Sequence, residues 1–132
     1  KGQYQYSSTS LSPPNKDLTF PIRGTFYYPW FPETWTVNKQ PTIYNPTLGK
    51  YQTARAATVQ EHLNALSYAH IDLAIISWFG PDTHEDRARI TNLLTSSPST
   101  TKWTIYHEAE LGKDPSVEEL RADFIYIKKW FA

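Results

Sequence analysis

Three apolar runs divide this chain, and each breaks off into aromatic and polar residues. The first spans Ile22 to Tyr28 and is stopped by Pro29 and Pro32, because proline has no N–H to give a sheet ladder. The second, Leu73 to Trp78, is apolar on both of its faces, as a buried parallel strand should be, and Gly80-Pro81 ends it. The third is Lys102 to His107, followed by Glu108 and Glu110. Between and after these runs the spacing becomes helical. Thr58-Val59-Gln60-Glu61 reads as a capping box, opening a helix with Val59, Leu63, Leu66 and Ala69 to Ile71 on its apolar side. Asp82 or Thr83 can cap a second helix over 85–95, carrying Ala88, Ile90, Leu93 and Leu94. After a turn over 112–115, Ser116-Val117-Glu118-Glu119 is a second capping box. It begins a helix striped by Val117, Leu120, Phe124, Ile127 and Phe131, which carries to the last residue with no stop signal.

The order is β-α-β-α-β-α. Right-handed crossovers put the strands in one parallel sheet with the helices outside it. The fold class is therefore α/β, with consecutive βα units of the (β/α)8 TIM-barrel type. About three units are present, a partial barrel, whereas a closed one takes eight units and about 250 residues. The first 20 residues, with Ser7-Ser8-Thr9-Ser10 and Pro13-Pro14, read as an extended arm or linker. A disordered, processed terminus is the favoured alternative, and Gln3-Tyr4-Gln5-Tyr6, which alternates with period two, offers a short strand as a minor one. The barrel-type domain is 21–132, truncated in its last helix. Residues 33–57 form a long irregular connection, and connections of that length in a compact domain are usually functional. Two open apolar sheet edges imply either a piece of a larger barrel or cover by other chains.

Charge adds an exclusion. Thirteen basic residues balance thirteen acidic ones, so no electrostatic grip on nucleic acid or anionic lipid is expected. No apolar stretch approaches the ~18 residues of a membrane span. The absence of cysteine removes disulfides, thiolate metal sites and cysteine nucleophiles. There is no methionine, even at position 1, so a chain that is processed, excised from something longer, or built to order is expected. A cleaved leader would leave a start of this kind, which fits a secreted protein.

The strand ends carry the candidate chemistry, because parallel α/β proteins build sites at the carboxyl edge of the sheet. Aromatic content is 15 %, and Tyr28, Trp30 and Trp78 stand at those ends, where a core has less use for them than a ligand does. Packing at the top of the sheet is the alternative role. Glu108 and Glu110 are two apart and would share one face of a continuing strand, with backbones about 6–7 Å apart at ~3.3 Å rise per residue. Either can bind a sugar hydroxyl, both are candidates for acid/base catalysis, and an ordinary acidic loop is the competing reading. His107 is a pocket hydrogen-bonder or a buried structural histidine. His62 and His70 look structural. Asp82, His84, Glu85 and Asp86 form a loose cluster without a ligand spacing, at a helix start where acids are favoured anyway. No Gly-rich phosphate loop, nucleophile elbow or zinc motif is present, so neither a metal nor a cofactor is expected.

Phe26-Tyr27-Tyr28-Pro29-Trp30-Phe31, Tyr44-Asn45-Pro46-Thr47-Leu48-Gly49, Val59-Gln60-Glu61-His62-Leu63 and Ile76-Ser77-Trp78-Phe79-Gly80-Pro81 occur in that order. Together they resemble the amino-terminal part of glycoside hydrolase family 99 and related bacterial proteins, over roughly residues 22–131. The resemblance implies a (β/α)8 barrel acting on α-linked mannose polymers or glycans. It implies that Tyr28 and Trp78 help line sugar subsites and that Glu108 binds hydroxyls of the sugar being cleaved. It also implies catalytic carboxylates on a later strand, a Glu pair three residues apart beyond this chain, for which Glu85, Glu118 and Glu119 do not substitute. At Phe79-Gly80 the motif departs from the family's more frequent Trp-Tyr-Pro-Pro, so mannose specificity is not carried over. The expected partner is an oligo- or polysaccharide. The competing reading is a non-catalytic carbohydrate-binding or structural subunit, assembled into filaments through its open edges and arm.

Overall fold

The computed structural model describes residues 18–37, 40–41, 43–83, 86–96, 100–108 and 114–131. Strand β1 (Gly24–Tyr27) leads to a single 3-10 turn (Glu33–Trp35) and a small antiparallel pair, β2 (Thr36–Val37) with β3 (Gln40–Pro41). Then come α1 (Ala56–Tyr68), β4 (Leu73–Trp78), α2 (Ala88–Thr95), β5 (Lys102–His107) and α3 (Val117–Trp130). The main sheet is parallel in the order β1-β4-β5, with Tyr27 beside Ile76 and Trp78 beside His107. Each βα unit therefore lays its strand next to the previous one, as in a barrel wall. The extended arm expected over the first 20 residues lies mostly outside the described residues, 1–17 in full.

Local chemistry explains where each helix begins. At α3 the Ser116 hydroxyl accepts from the Glu119 N–H at 3.2 Å, and the Glu119 carboxylate accepts from the Ser116 N–H at 2.7 Å, the expected capping box. The box expected at Thr58 does not form. A turn closed by the Arg55 N–H on the Gln52 carbonyl starts α1 earlier, and Thr58 is buried within its first turn. Helix α2 begins at Ala88 rather than near 85, with Arg87 as its N-cap and no side-chain cap. Asp86 instead spends its carboxylate on tertiary bonds to Trp78, Tyr126 and the Asp82 N–H.

The core lies on one side of the sheet. Tyr27, Ala74, Ile76 and Trp78 pack there against Val59 and Leu63 of α1 and Ile90 and Leu93 of α2. Trp103 and Ile105 of β5, with Tyr126, Ile127 and Phe131 from the α3 side, close the layer. The long connection is anchored and not slack. Buried Thr53 shares its hydroxyl between the carbonyls of Pro29 (2.9 Å) and Phe31 (2.7 Å). Buried Arg89 donates to the Pro29 carbonyl at 2.8 Å and to both Glu33 carboxylate oxygens at 2.7 Å. Trp35 donates from its indole to the Tyr51 carbonyl at 2.7 Å. These bonds hold the corner that follows β1.

The two outer strands of the sheet border apolar grooves. One of about 450 Å³ lies between β1 and α1, and one of about 400 Å³ between β5 and α3. On α3, Val117, Phe124 and Ile125 are each more than 60 % exposed. No described helix is long and apolar enough to cross a membrane.

Candidate functional site

Strand side chains alternate, so the register of the sheet sorts every strand-end residue onto one of two faces. Tyr27, Ile76, Trp78 and His107 belong to the face that α1, α2 and α3 cover. Phe26, Tyr28, Ser77, Tyr106 and Glu108 belong to the other face, which would be the interior of a closed barrel.

The open face carries a chain of rings. Phe26 and Tyr106 come from the two outer strands and meet edge to face across β4, centroids 5.7 Å apart. Phe26 stacks on Tyr28 at 6.1 Å, Tyr28 meets Trp30 in a tilted contact at 4.6 Å, and Trp30 reaches Phe79 at 5.6 Å. Phe26, Tyr28 and Tyr106 keep between 44 and 49 % of their surface exposed. Ser77 lies within this face and is fully buried, and its hydroxyl donates to Glu108 Oε1 at 2.6 Å. The Glu108 N–H donates to the Trp78 carbonyl at 2.9 Å, which extends the β4–β5 ladder by one residue. A carboxylate is thus fixed at the carboxyl end of the sheet beside half-exposed rings. Ring faces offer apolar contact area, and a carboxylate accepts hydroxyl protons, the pairing that suits a polyhydroxylated ligand.

The structure divides the expected site residues. Tyr28, Trp30 and Glu108 are brought to the open face and its rim. Trp78 is not, which corrects its expected place among the ligand contacts. It has no exposed surface, lies 5.9 Å from the Tyr126 ring in a stacked pair, and donates from Nε1 to Asp86 Oδ1 at 3.1 Å. Asp86 also accepts from the Tyr126 hydroxyl, so one buried carboxylate ties the end of β4 to α3. Burial first, and then that bond to Asp86, raises the ionisation of Tyr126 far above the usual phenol range.

His107 likewise faces the helices. Its Nε2 lies 2.8 Å from Asp123 Oδ2 on α3, beside a cleft of about 210 Å³ walled by Phe79, Pro81, Pro115 and Asp123. It pairs with a helix and does not join Glu108. Glu110, His84 and Glu85 lie outside the described residues, so neither the Glu108–Glu110 pair nor the loose acidic cluster is placed. Among the described residues, no group of three His, Asp or Glu side chains could hold a metal ion.

His62 and Tyr27 form a separate contact at the β1 groove. The Tyr27 hydroxyl and His62 Nδ1 are 2.8 Å apart. Burial, and next the neighbouring Tyr51, pushes the Tyr27 phenol well above its ordinary range, while burial lowers His62. A neutral ring can accept the Tyr27 proton, which ties α1 to the end of β1.

Sequence reasoning missed Phe26, Ser77, Phe79 and Tyr106 as members of the site. Period-two spacing was the available signal: counting back two from Tyr28 gives Phe26, and from Glu108 gives Tyr106.

No protein-family model and no curated protein sequence matches this chain. Its fold does match solved structures. One is the GH99 endo-α-mannosidase from Bacteroides thetaiotaomicron in complex with bis-tris-propane, at a TM-score of 0.65 and 19 % identity, over 81 % of this chain and 35 % of that one. A second structure of the GH99 endo-α-mannosidase from the same organism matches at 0.66 and 17 % identity, over 83 % of this chain and 39 % of that one. The chain spans well under half the length of either. At this identity the likeness shows the fold: these residues form consecutive βα units of that barrel type.

Proposed function

We propose that this chain is the amino-terminal portion of a glycoside-hydrolase-like, carbohydrate-active protein and contributes sugar-binding subsites on the open face of its sheet. One observation carries the reading: the Glu108 carboxylate is fixed by Ser77 at the carboxyl edge, on the face where Phe26, Tyr28 and Tyr106 stay half exposed. The likeness to endo-α-mannosidase structures supports the choice of an α-linked glycan as ligand. In this reading Tyr28 and Trp30 stack on pyranose faces and Glu108 accepts from ring hydroxyls. Trp78 and His107 hold the scaffold behind them.

The test is isothermal titration of the chain with α-linked manno-oligosaccharides of two to four units, with cellotriose as the control. Tyr28→Ala and Glu108→Gln are each expected to weaken binding at least tenfold, about 1.4 kcal/mol. Unchanged binding in both would overturn the sugar reading. That result would favour an assembly subunit, for which the groove along β5 and the exposed Val117, Phe124 and Ile125 of α3 are the supporting surfaces.

A further inference from the structure

Ser77 is a polar residue in the middle of an apolar strand, with none of its surface exposed. Packing alone does not call for it. Alanine would fill nearly the same volume and leave no hydroxyl to satisfy in the interior. The hydroxyl is satisfied by Glu108 Oε1 at 2.6 Å, a charge-assisted bond in the short range. Glu108 is therefore held twice by the same strand, by its backbone N–H on the Trp78 carbonyl and by its carboxylate on the Ser77 hydroxyl. Among the described residues no protein donor reaches its other carboxylate oxygen, Oε2.

We infer that Ser77 is a positioning residue for the ligand site. By locking the Glu108 side chain in one rotamer before a ligand arrives, it presents Oε2 as a fixed acceptor beside the rings of the open face. A free glutamate would lose its rotamer entropy at the moment of binding, and a glutamate already held by Ser77 has lost it on folding. The ligand this favours has a hydroxyl that meets one defined oxygen while its ring lies on an aromatic face, so the contact selects among hydroxyl configurations. This rests on the sugar-binding reading above.

The experiment compares the parent chain, Ser77→Ala, Ser77→Thr and Glu108→Gln, plus the Ser77→Ala/Glu108→Gln double variant. Melting temperature is read alongside, so that a folding defect is seen as such. The first readout needs no ligand: three-bond NMR couplings across χ1 of Glu108 report one rotamer in the parent, averaging in Ser77→Ala, and a single rotamer again in Ser77→Thr, which keeps the hydroxyl. The second is affinity for α-linked mannotriose. Ser77→Ala is expected to weaken it about tenfold, Ser77→Thr to restore it, and Ser77→Ala to add nothing once Glu108 is Gln. Couplings unchanged by Ser77→Ala overturn the inference whatever the ligand does. Weaker binding in Glu108→Gln with unchanged binding in Ser77→Ala overturns it too, and leaves the sugar reading standing. No weakening in either overturns both.

Discussion

Neighbouring residues on the same strands meet opposite fates in this molecule. Ser77 faces an open aromatic surface, and Trp78 beside it is sealed under α3. Tyr28 keeps 44 % of its surface exposed, while Tyr27 is buried against His62 and Trp103. Glu108 is held over the open face, and His107 is paired with Asp123 on the covered one. The covered face has spent its aromatic and polar groups on one another. Trp78, Asp86 and Tyr126 are bonded and stacked on one another, and Asp86 also accepts from the Asp82 N–H. On the open face, rings touch in sequence but keep free surface, and among the described residues the Glu108 carboxylate is bonded through one oxygen, to Ser77. An aromatic residue at a strand end is thus no functional signal until its face is known.

The sharpest way to break this contrast is to truncate one ring on each face. Trp78→Ala removes a fully buried indole, empties the junction of β4 with α3 and leaves Asp86 short of a donor. It should cost about 3–5 kcal/mol or prevent folding at 37 °C. Tyr28→Ala loses only a half-exposed ring with partial stacking, worth about 1 kcal/mol. Urea titration followed by circular dichroism compares the two. Equal losses would mean that the faces do not differ and that Tyr28 is a core residue.

That contrast also shows how far the sequence could be read. Strands β4 and β5 were legible at both ends, because their apolar runs are bounded by Gly80-Pro81 and by the acidic strand end. Helix α3 was legible from Ser116 and Glu119, since a capping box is chemistry among four neighbouring residues. The same four-residue signature at Thr58 misled, because the turn at Gln52–Arg55 had already started the helix. The β2–β3 pair was invisible, as two-residue strands have no period to detect. Among the candidates, residue type at a strand end points to Tyr28, Trp30 and Glu108, which the structure places on the open face and its rim. Trp78 was grouped with them because residue type does not say which face the helices will cover. Only the register of three strands and the packing of α3 decide that.

The covered face also includes a base that titrates, which tests its burial by pH. Burial lowers the His62 pKa in the folded chain below its value near 6.5 in the unfolded one. Above about pH 6.5 both states hold a neutral ring, and folding gains nothing from pH. As pH falls from there towards the lowered folded value, the unfolded chain binds a proton that the folded chain refuses, and stability drops. Denaturant curves of the parent and His62→Gln between pH 8 and pH 5 should diverge, with the parent falling more steeply. Parallel curves would show that His62 is solvated.

The smallest effect is expected at Trp30, at the rim between the faces. Its indole N–H is buried, and no acceptor meets it among the described residues. Trp35 differs, since its indole N–H is bonded to the Tyr51 carbonyl. Replacing an indole by phenyl normally costs a hydrogen bond as well as contact area. At Trp30 there is no bond to lose, and removing an unsatisfied buried donor offsets part of the lost area. Trp30→Phe should therefore shift stability by less than about 1 kcal/mol in either direction, and Trp35→Phe should cost about 1–3 kcal/mol. The tilted ring contacts with Tyr28 and Phe79 survive in outline, so a ring remains at the rim. A loss above about 2 kcal/mol in Trp30→Phe, read from the urea midpoint at constant slope, would mean that the N–H is satisfied in solution. Trp30 would then belong with Trp78 among the groups that hold the sheet, and the open face would keep Phe26, Tyr28 and Tyr106 as its half-exposed rings among the described residues.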